Sequence, residues 1–300
     1  MLKNKTRNRI WLALSETSEK FRPRAISTWH EAYPLLGHGE RQACRQAVDR
    51  SIARIAREPE QLMDVTIQPV IFVLLFTFIF GSAIHLPGGG SYHQYLISGM
   101  FGMAMAGSAP GTAVGLASDM TTGLIDRFRS LPISRAAVLA GRTLSDLITQ
   151  VLGIAVLIVT GLAIGWRAEL GLSKALLAVG LSALFAFAMT WVGACAGMVL
   201  RSAETAQAAG FLFFLPLTFC SNAFVPTQGM PAALRDFANW NPMSAISAAC
   251  RTLFGGPNPA ATVSAWPMQH PELAVVVWSV GLIAVFAPLA VLLYKRKVLR

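Results

Sequence analysis

Six long apolar runs constrain this chain more than any other feature. They lie near Leu62 to Ile84, Tyr95 to Ser118, Gly141 to Trp166, Lys174 to Leu200, Thr205 to Val225 and Leu273 to Tyr294. A helix needs about 20 apolar residues to cross the hydrocarbon layer, and in lipid the backbone must satisfy its own hydrogen bonds. The expected fold is therefore an all-α integral membrane protein with six transmembrane helices. Composition agrees: 54% of the 300 residues are hydrophobic, 13% are charged and the mean hydropathy is +0.53, which is not the balance of a water-soluble globule. The net charge of +10 would raise the question of nucleic acid in a soluble protein. In a membrane protein it reflects Lys and Arg gathered in cytoplasmic loops, so no nucleic-acid partner is expected.

Those charges also orient the chain. With a cytoplasmic N-terminus, the inner segments hold 21 Lys and Arg residues, whereas the outer ones hold only Arg167, Lys174, Arg235 and Arg251. Both termini are therefore expected in the cytoplasm. The first twenty residues start basic, yet lack the sustained apolar core and small-residue cleavage site of a signal peptide, so they are expected to be retained. Cys44, Cys195, Cys220 and Cys250 form no Cys-x-x-Cys pair and read as packing residues.

Two regions lie outside the runs. Residues 1–61 read as a cytoplasmic tail ending in an amphipathic connecting helix, in which Cys44, Val48, Ile52 and Ile55 recur at helical spacing between Arg and Gln residues. Such a helix suits the membrane surface or a soluble partner. Residues 62–300 form the six-helix domain. Its connection from Pro226 to Glu272 reads as two short apolar helices before the last span, the second starting at Asn241 with Pro242 in its first turn and stopping at Gly255 and Gly256. These helices are expected to dip into the bilayer or cap a cavity.

No phosphate-binding loop, His-Glu-x-x-His or Gly-x-Ser-x-Gly motif is present. The histidines are scattered through tails and outer loops, and His85 with His93 reads as a solvated pair. No cofactor or metal is expected on this chain, and a lipid-modifying enzyme lacks a catalytic cluster. The central halves of the six runs contain no Asp, Glu, Lys, Arg or His. Asp64, Asp119, Asp126, Asp146, Arg201 and Glu204 fall near inner ends, with Arg142 and Asp146 as an i, i+4 pair. An ion-gradient-driven transporter or channel for lipophilic solutes, the alternative reading, is hard to build without a carboxylate at depth.

What the runs do contain is glycine, proline and phenylalanine. Gly107, Gly111 and Gly115, and again Gly193 and Gly197, recur every four residues and let helix backbones approach, within one chain or at a dimer seam. Pro110 and Pro216 are expected to kink their helices. Phe72, Phe76 and Phe80 share one face of the first run, and Phe211, Phe214 and Phe219 populate the fifth. Such faces suit a flat lipophilic passenger, or lipid and helix contacts.

Between the second and third runs lies "GLIDRFRSLPIS". Asp126, Arg127 and Arg129 surround apolar Leu124, Ile125 and Phe128, and Pro132 disfavours helix at Leu131. So structured a connection points to a docking surface; the plainer reading is a positive anchor for the third span. The stretch "LIDRFRSLPISRAAVLAGRTLSDL" resembles the signature after the second helix of type-2 ABC exporter permeases of the daunorubicin-resistance group. "REPEQLMDVTIQPVIFVLLFTFIFGSAI" resembles that group's entry into its first helix, and "AFVPTQGMPAALRDFANWNPMSAISAACRTLFGG" its outer connection. One departure is Asp126, where the family more often has Glu, and the tail before Arg41 has no clear counterpart.

The resemblance implies a six-helix permease subunit of a bacterial cell (inner) membrane exporter, moving a hydrophobic compound or a lipid outward. It implies pairing with a second protomer and two copies of a separate ATPase subunit, which would use the ATP and Mg. Carried onto this chain, Asp126, Arg127, Phe128, Arg129, Leu131 and Pro132 would receive the ATPase movement, with Arg41 to Glu58, including Arg54 and Glu58, as the second contact. The aromatic faces, read by themselves and not from the resemblance, make Phe72, Phe76, Phe80, Phe211, Phe214 and Phe219 the candidates for a substrate path.

Overall fold

The computed structural model describes residues 59–80, 86, 89, 91–121, 135–200 and 202–298, all within one compact unit, Ala43–Arg300. Among the described residues there are helices and no strands. Helix α1 (Pro59–Leu75) continues into a π-helical turn, Phe76–Phe80. Next along the chain come α2 (Tyr92–Ala106), α3 (Ser108–Thr121), α4 (Arg135–Ala163), α5 (Leu172–Val199) and α6 (Ala203–Phe219). Three short helices, α7 (Ala232–Trp240), α8 (Pro242–Phe254) and α9 (Trp266–Gln269), precede α10 (Pro271–Val298).

Among the described residues, three helices are long and apolar enough to cross a membrane unaided: Arg142–Ala163 of α4, Leu172–Val199 of α5 and Pro271–Tyr294 of α10. The second run, read as one span, is two helices. Pro110 has no N–H to give the Ala106 carbonyl and its ring crowds that turn, so α2 stops at Ala106 and Pro110 falls in the first turn of α3. Ser108 stitches the break, with its Oγ 2.7 Å from the Met105 carbonyl and 3.1 Å from the Ala186 carbonyl of α5. The fifth run is helical only to Phe219. Its start is local chemistry: Ser202 and Thr205 satisfy each other's backbone N–H groups in a capping box.

The four-residue glycine spacing of α5 is used inside the chain. A Cβ at Gly193 would overlap the Ala109 carbonyl of α3, and one at Gly197 would lie 2.6 Å from the Ala113 carbonyl. Lipid tails are as apolar as side chains, so close backbone contact and dispersion must hold these helices together. Gly111, by contrast, faces open space. Two further close approaches bring α2 against α8, where Gly102 meets Ser247 Oγ, and against the loop after α6, where Gly99 meets the Ala223 carbonyl. The large core sits there, built from Tyr95, Ile97, Phe101, Phe185, Ile246 and Phe254 with their neighbours. A smaller one joins Leu116, Trp191, Met198 and Tyr294 across α3, α5 and α10.

Helix α8 begins and ends as its sequence dictates. Asn241 caps it by accepting from the Met243 N–H, Pro242 occupies its first turn, and Gly255 stops it at φ 81°. It neither lies on a surface nor faces lipid: every residue but Pro242 and Thr252 is buried. The shorter α7 is different, exposing Leu234, Phe237 and Trp240 along one stripe.

Candidate functional site

The aromatic residues of α1 meet those after α6. Phe72 and Phe76 lie nearly parallel with ring centres 6.0 Å apart. Phe76 stacks on Phe224 at 4.6 Å and 15°, and Phe224 reaches Phe219 at 6.0 Å. These separations are those of favourable offset ring pairs. The row passes from buried Phe224 to Phe219, whose side chain is 60% exposed, so one end is accessible from outside the protein. Tyr92 Oη donates to the Phe224 carbonyl at 3.3 Å and holds the central ring's backbone.

Sequence spacing points to three of these four rings. Phe224 escapes it, standing alone in "SNAFVP" with no periodic partner to mark it. Of the face expected for Phe72, Phe76 and Phe80, the first two rings are stacked; the turn from Phe76 to Phe80 is π-helical, and the Phe80 side chain lies outside the described residues. Phe211 stands half-exposed on α6, apart from the row, and Phe214 packs against the large core.

Behind the row sits a fully buried arginine. Arg251 Nε donates to the Tyr95 carbonyl at 3.2 Å, Nη1 to Asn222 Oδ1 at 3.1 Å, and Nη2 to the carbonyls of Asn222 at 2.8 Å and Ala223 at 2.9 Å. Tyr95 Oη donates to the Asn222 carbonyl at 2.6 Å. All these acceptors are neutral, so carbonyl dipoles and the Tyr95 ring face replace the water this cation has lost. Burial draws the guanidinium downward from its ordinary pKa, and burial pushes the neighbouring Cys250 thiol up to about 11. Asn241 extends the knot, its Nδ2 donating to the Leu217 and Cys220 carbonyls at 2.7 and 2.9 Å. The last residues of α6, the loop holding Phe224, and α8 are thus pinned to α2.

The i, i+4 pair Arg142 and Asp146 forms as the spacing predicts, and Asp119 of α3 joins it. Asp126, Arg127, Phe128, Arg129, Leu131, Pro132, Arg54 and Glu58 lie outside the described residues. So do the Arg41 to Glu58 contact as a whole and His85. No group of three His, Cys, Asp or Glu side chains is arranged for a metal among the described residues.

Residues 42–254 match the ABC-2 type transporter family, and the chain belongs to that family. It is 33% identical over 270 residues to the daunorubicin resistance ABC transporter permease protein DrrB1 of Streptomyces coeruleorubidus, covering 88% of this chain and 92% of the relative. It is also 25% identical over 248 residues to the "Probable doxorubicin resistance ABC transporter permease protein DrrC" of Mycobacterium tuberculosis (strain CDC 1551 / Oshkosh), covering 81% and 85%. The chain is accordingly the membrane-spanning permease of an ABC exporter.

Proposed function

We propose that this permease exports a flat, hydrophobic, drug-like compound, and that the Phe72, Phe76, Phe224 and Phe219 row is part of its path. The observation that carries this reading is the row itself: stacked rings, one end exposed, in a protein whose span interiors hold no charge. Planar apolar passengers gain from ring faces at no cost in desolvated charge. The relatives named for daunorubicin and doxorubicin resistance support the same substrate class.

The power enters from outside the chain. Two copies of an ATPase subunit dock on residues 41–58 and 122–134, Asp126, Arg127, Phe128, Arg129, Leu131 and Pro132 receive their movement, and ATP with Mg is spent on the partner. Six crossings, cytoplasmic termini, a bacterial inner membrane and a second permease protomer complete the proposal. The test is co-purification with the ATPase subunit followed by ATP-driven uptake of fluorescent daunorubicin into inverted vesicles. Phe128→Ala with Arg129→Glu is expected to abolish uptake and weaken the complex; unchanged uptake and assembly would sink the docking assignment.

A further inference from the structure

Where α3 ends and α4 begins, a closed ring of polar contacts ties the two helices. Arg142 Nη1 donates to Asp119 Oδ2 of α3. Its Nε donates to Asp146 Oδ1 at 3.1 Å, one turn further along α4. Thr112 Oγ1, two turns before Asp119 on α3, donates to Asp146 Oδ2 at 2.7 Å. The three charged side chains are only 16–19% exposed, so water screens the ring far less than it screens a surface pair. The guanidinium enters because residue 115 is glycine: a Cβ there would overlap Nη2. The ring is thus set by a gap in one helix as well as by charge in the other.

Helices α3 and α4 are the two that flank residues 122–134. On its other sides α3 rests backbone to backbone on α5 through Gly193 and Gly197, and Pro110 packs on Gly210 of α6, the helix that ends at Phe219. We infer that Arg142, Asp119, Asp146 and Thr112 act as a clasp that makes α3 and α4 move as one body when the ATPase partner moves residues 122–134. The inference rests on the docking reading above. Arg142 is a positioning residue, since it touches neither nucleotide nor passenger. A pair of helices free to slide at this end would absorb a push as local distortion; a clasped pair passes it to α5 and α6.

The test reads nucleotide-driven distances and needs no passenger. The full-length permease, with its four cysteines replaced and nitroxide labels at Thr121→Cys on α3 and Gln150→Cys on α4, is assembled with its ATPase subunit in lipid nanodiscs. Distances are measured without nucleotide and with ATP, Mg and vanadate. A second label pair, Thr121→Cys with Leu200→Cys, reports displacement relative to α5. The permease carrying Gly111→Ala, which faces open space, serves as the control.

In the otherwise native permease the Thr121–Gln150 distance is expected to stay fixed as nucleotide binds. With Gly115→Ala, which changes no charge, or Arg142→Lys, which keeps the charge and loses the fork, it is expected to shift by about 2 Å or more on nucleotide binding. Combining the two substitutions should add nothing, since both act through one contact. A distance that moves in the native permease, or that stays fixed in both variants, overturns the clasp and leaves docking intact. Variants that fail to accumulate while Gly111→Ala accumulates reduce the ring to a folding contact and overturn it too. Failure of the native permease to bind the ATPase subunit overturns the docking reading, and the clasp with it.

Discussion

The guanidinium carbon of Arg251 sits 3.6 Å from the centre of the Tyr95 ring, so the one arginine of α8 is held by a ring face and by four neutral acceptors rather than by an acid. Its removal takes a donor from the carbonyls of Tyr95, Asn222 and Ala223 and from Asn222 Oδ1 in a space closed to water, with Tyr95 Oη still donating to the Asn222 carbonyl. Arg251→Ala is expected to destabilise the folded protein by about 3–5 kcal/mol, and Arg251→Lys by less, since the cation remains while the fork is lost. Thermal unfolding in detergent, followed by loss of monodisperse protein, checks the order Ala worse than Lys worse than native.

The glycines of α3 and α5 differ sharply in what an added methyl would meet. Gly193→Ala drives a Cβ into the Ala109 backbone carbonyl, which no rotamer change can relieve. It is expected to cost about 1–3 kcal/mol. Gly111→Ala adds its methyl to open space and is expected to be neutral or to stabilise by up to about 1 kcal/mol through helix propensity. The same unfolding measurement separates them, and equal effects would remove α3–α5 close packing as the reason for Gly193.

Cys250 provides a chemical probe of the buried knot. Its thiol is fully buried with a pKa raised from 9.0 to about 11, so at pH 8 maleimide should label Cys220 and leave Cys250 until detergent unfolds the chain. The linkage has a definite sign: the unfolded thiol ionises first, so its share of stability is present below pH 9 and is lost between pH 9 and about 11. Mass spectrometry of labelled peptides reads the first effect. A Cys250→Ala variant losing that alkaline dependence reads the second.

Phe224 touches two rings of the row and sits at its centre. Phe224→Ala is expected to lower the apparent affinity for a planar aromatic passenger by about tenfold, the value of losing two ring contacts. Phe211→Ala, off the row, should leave it unchanged. Concentration-dependent daunorubicin uptake into inverted vesicles checks both, with equal loss in the two variants arguing against the row as the path.

Local chemistry is readable from the chain, and distant chemistry is not. The start of α8 at Asn241 and Pro242, its stop at Gly255 and the Arg142–Asp146 pair each depend on residues within a turn of one another. The break at Gly107 is not readable, because Pro110 alone signals a kink and the acceptor that completes the interruption belongs to Ala186 on another helix. Arg251 counts in the sequence as one of four outer Lys and Arg residues, yet its partners stand 28 to 156 residues away, where no spacing rule reaches. Phe224 is hidden for the same reason. Charge can be counted along the chain, but its burial is seen only once Tyr95, Asn222 and Arg251 are brought together.

The interruption between α2 and α3 divides one apolar run into two levers that share a pivot. The lever ending at Tyr95 is bolted, through Arg251, to the stretch that carries Phe224. The lever ending at Asp119 is bolted to α4. A continuous rod would have to tilt both anchorages together, whereas a jointed one can swing its Asp119 arm while the Tyr95–Arg251 anchorage keeps its geometry. The hydroxyl of Ser108, resting on the carbonyl of Ala186, is the bearing on which such a joint would turn.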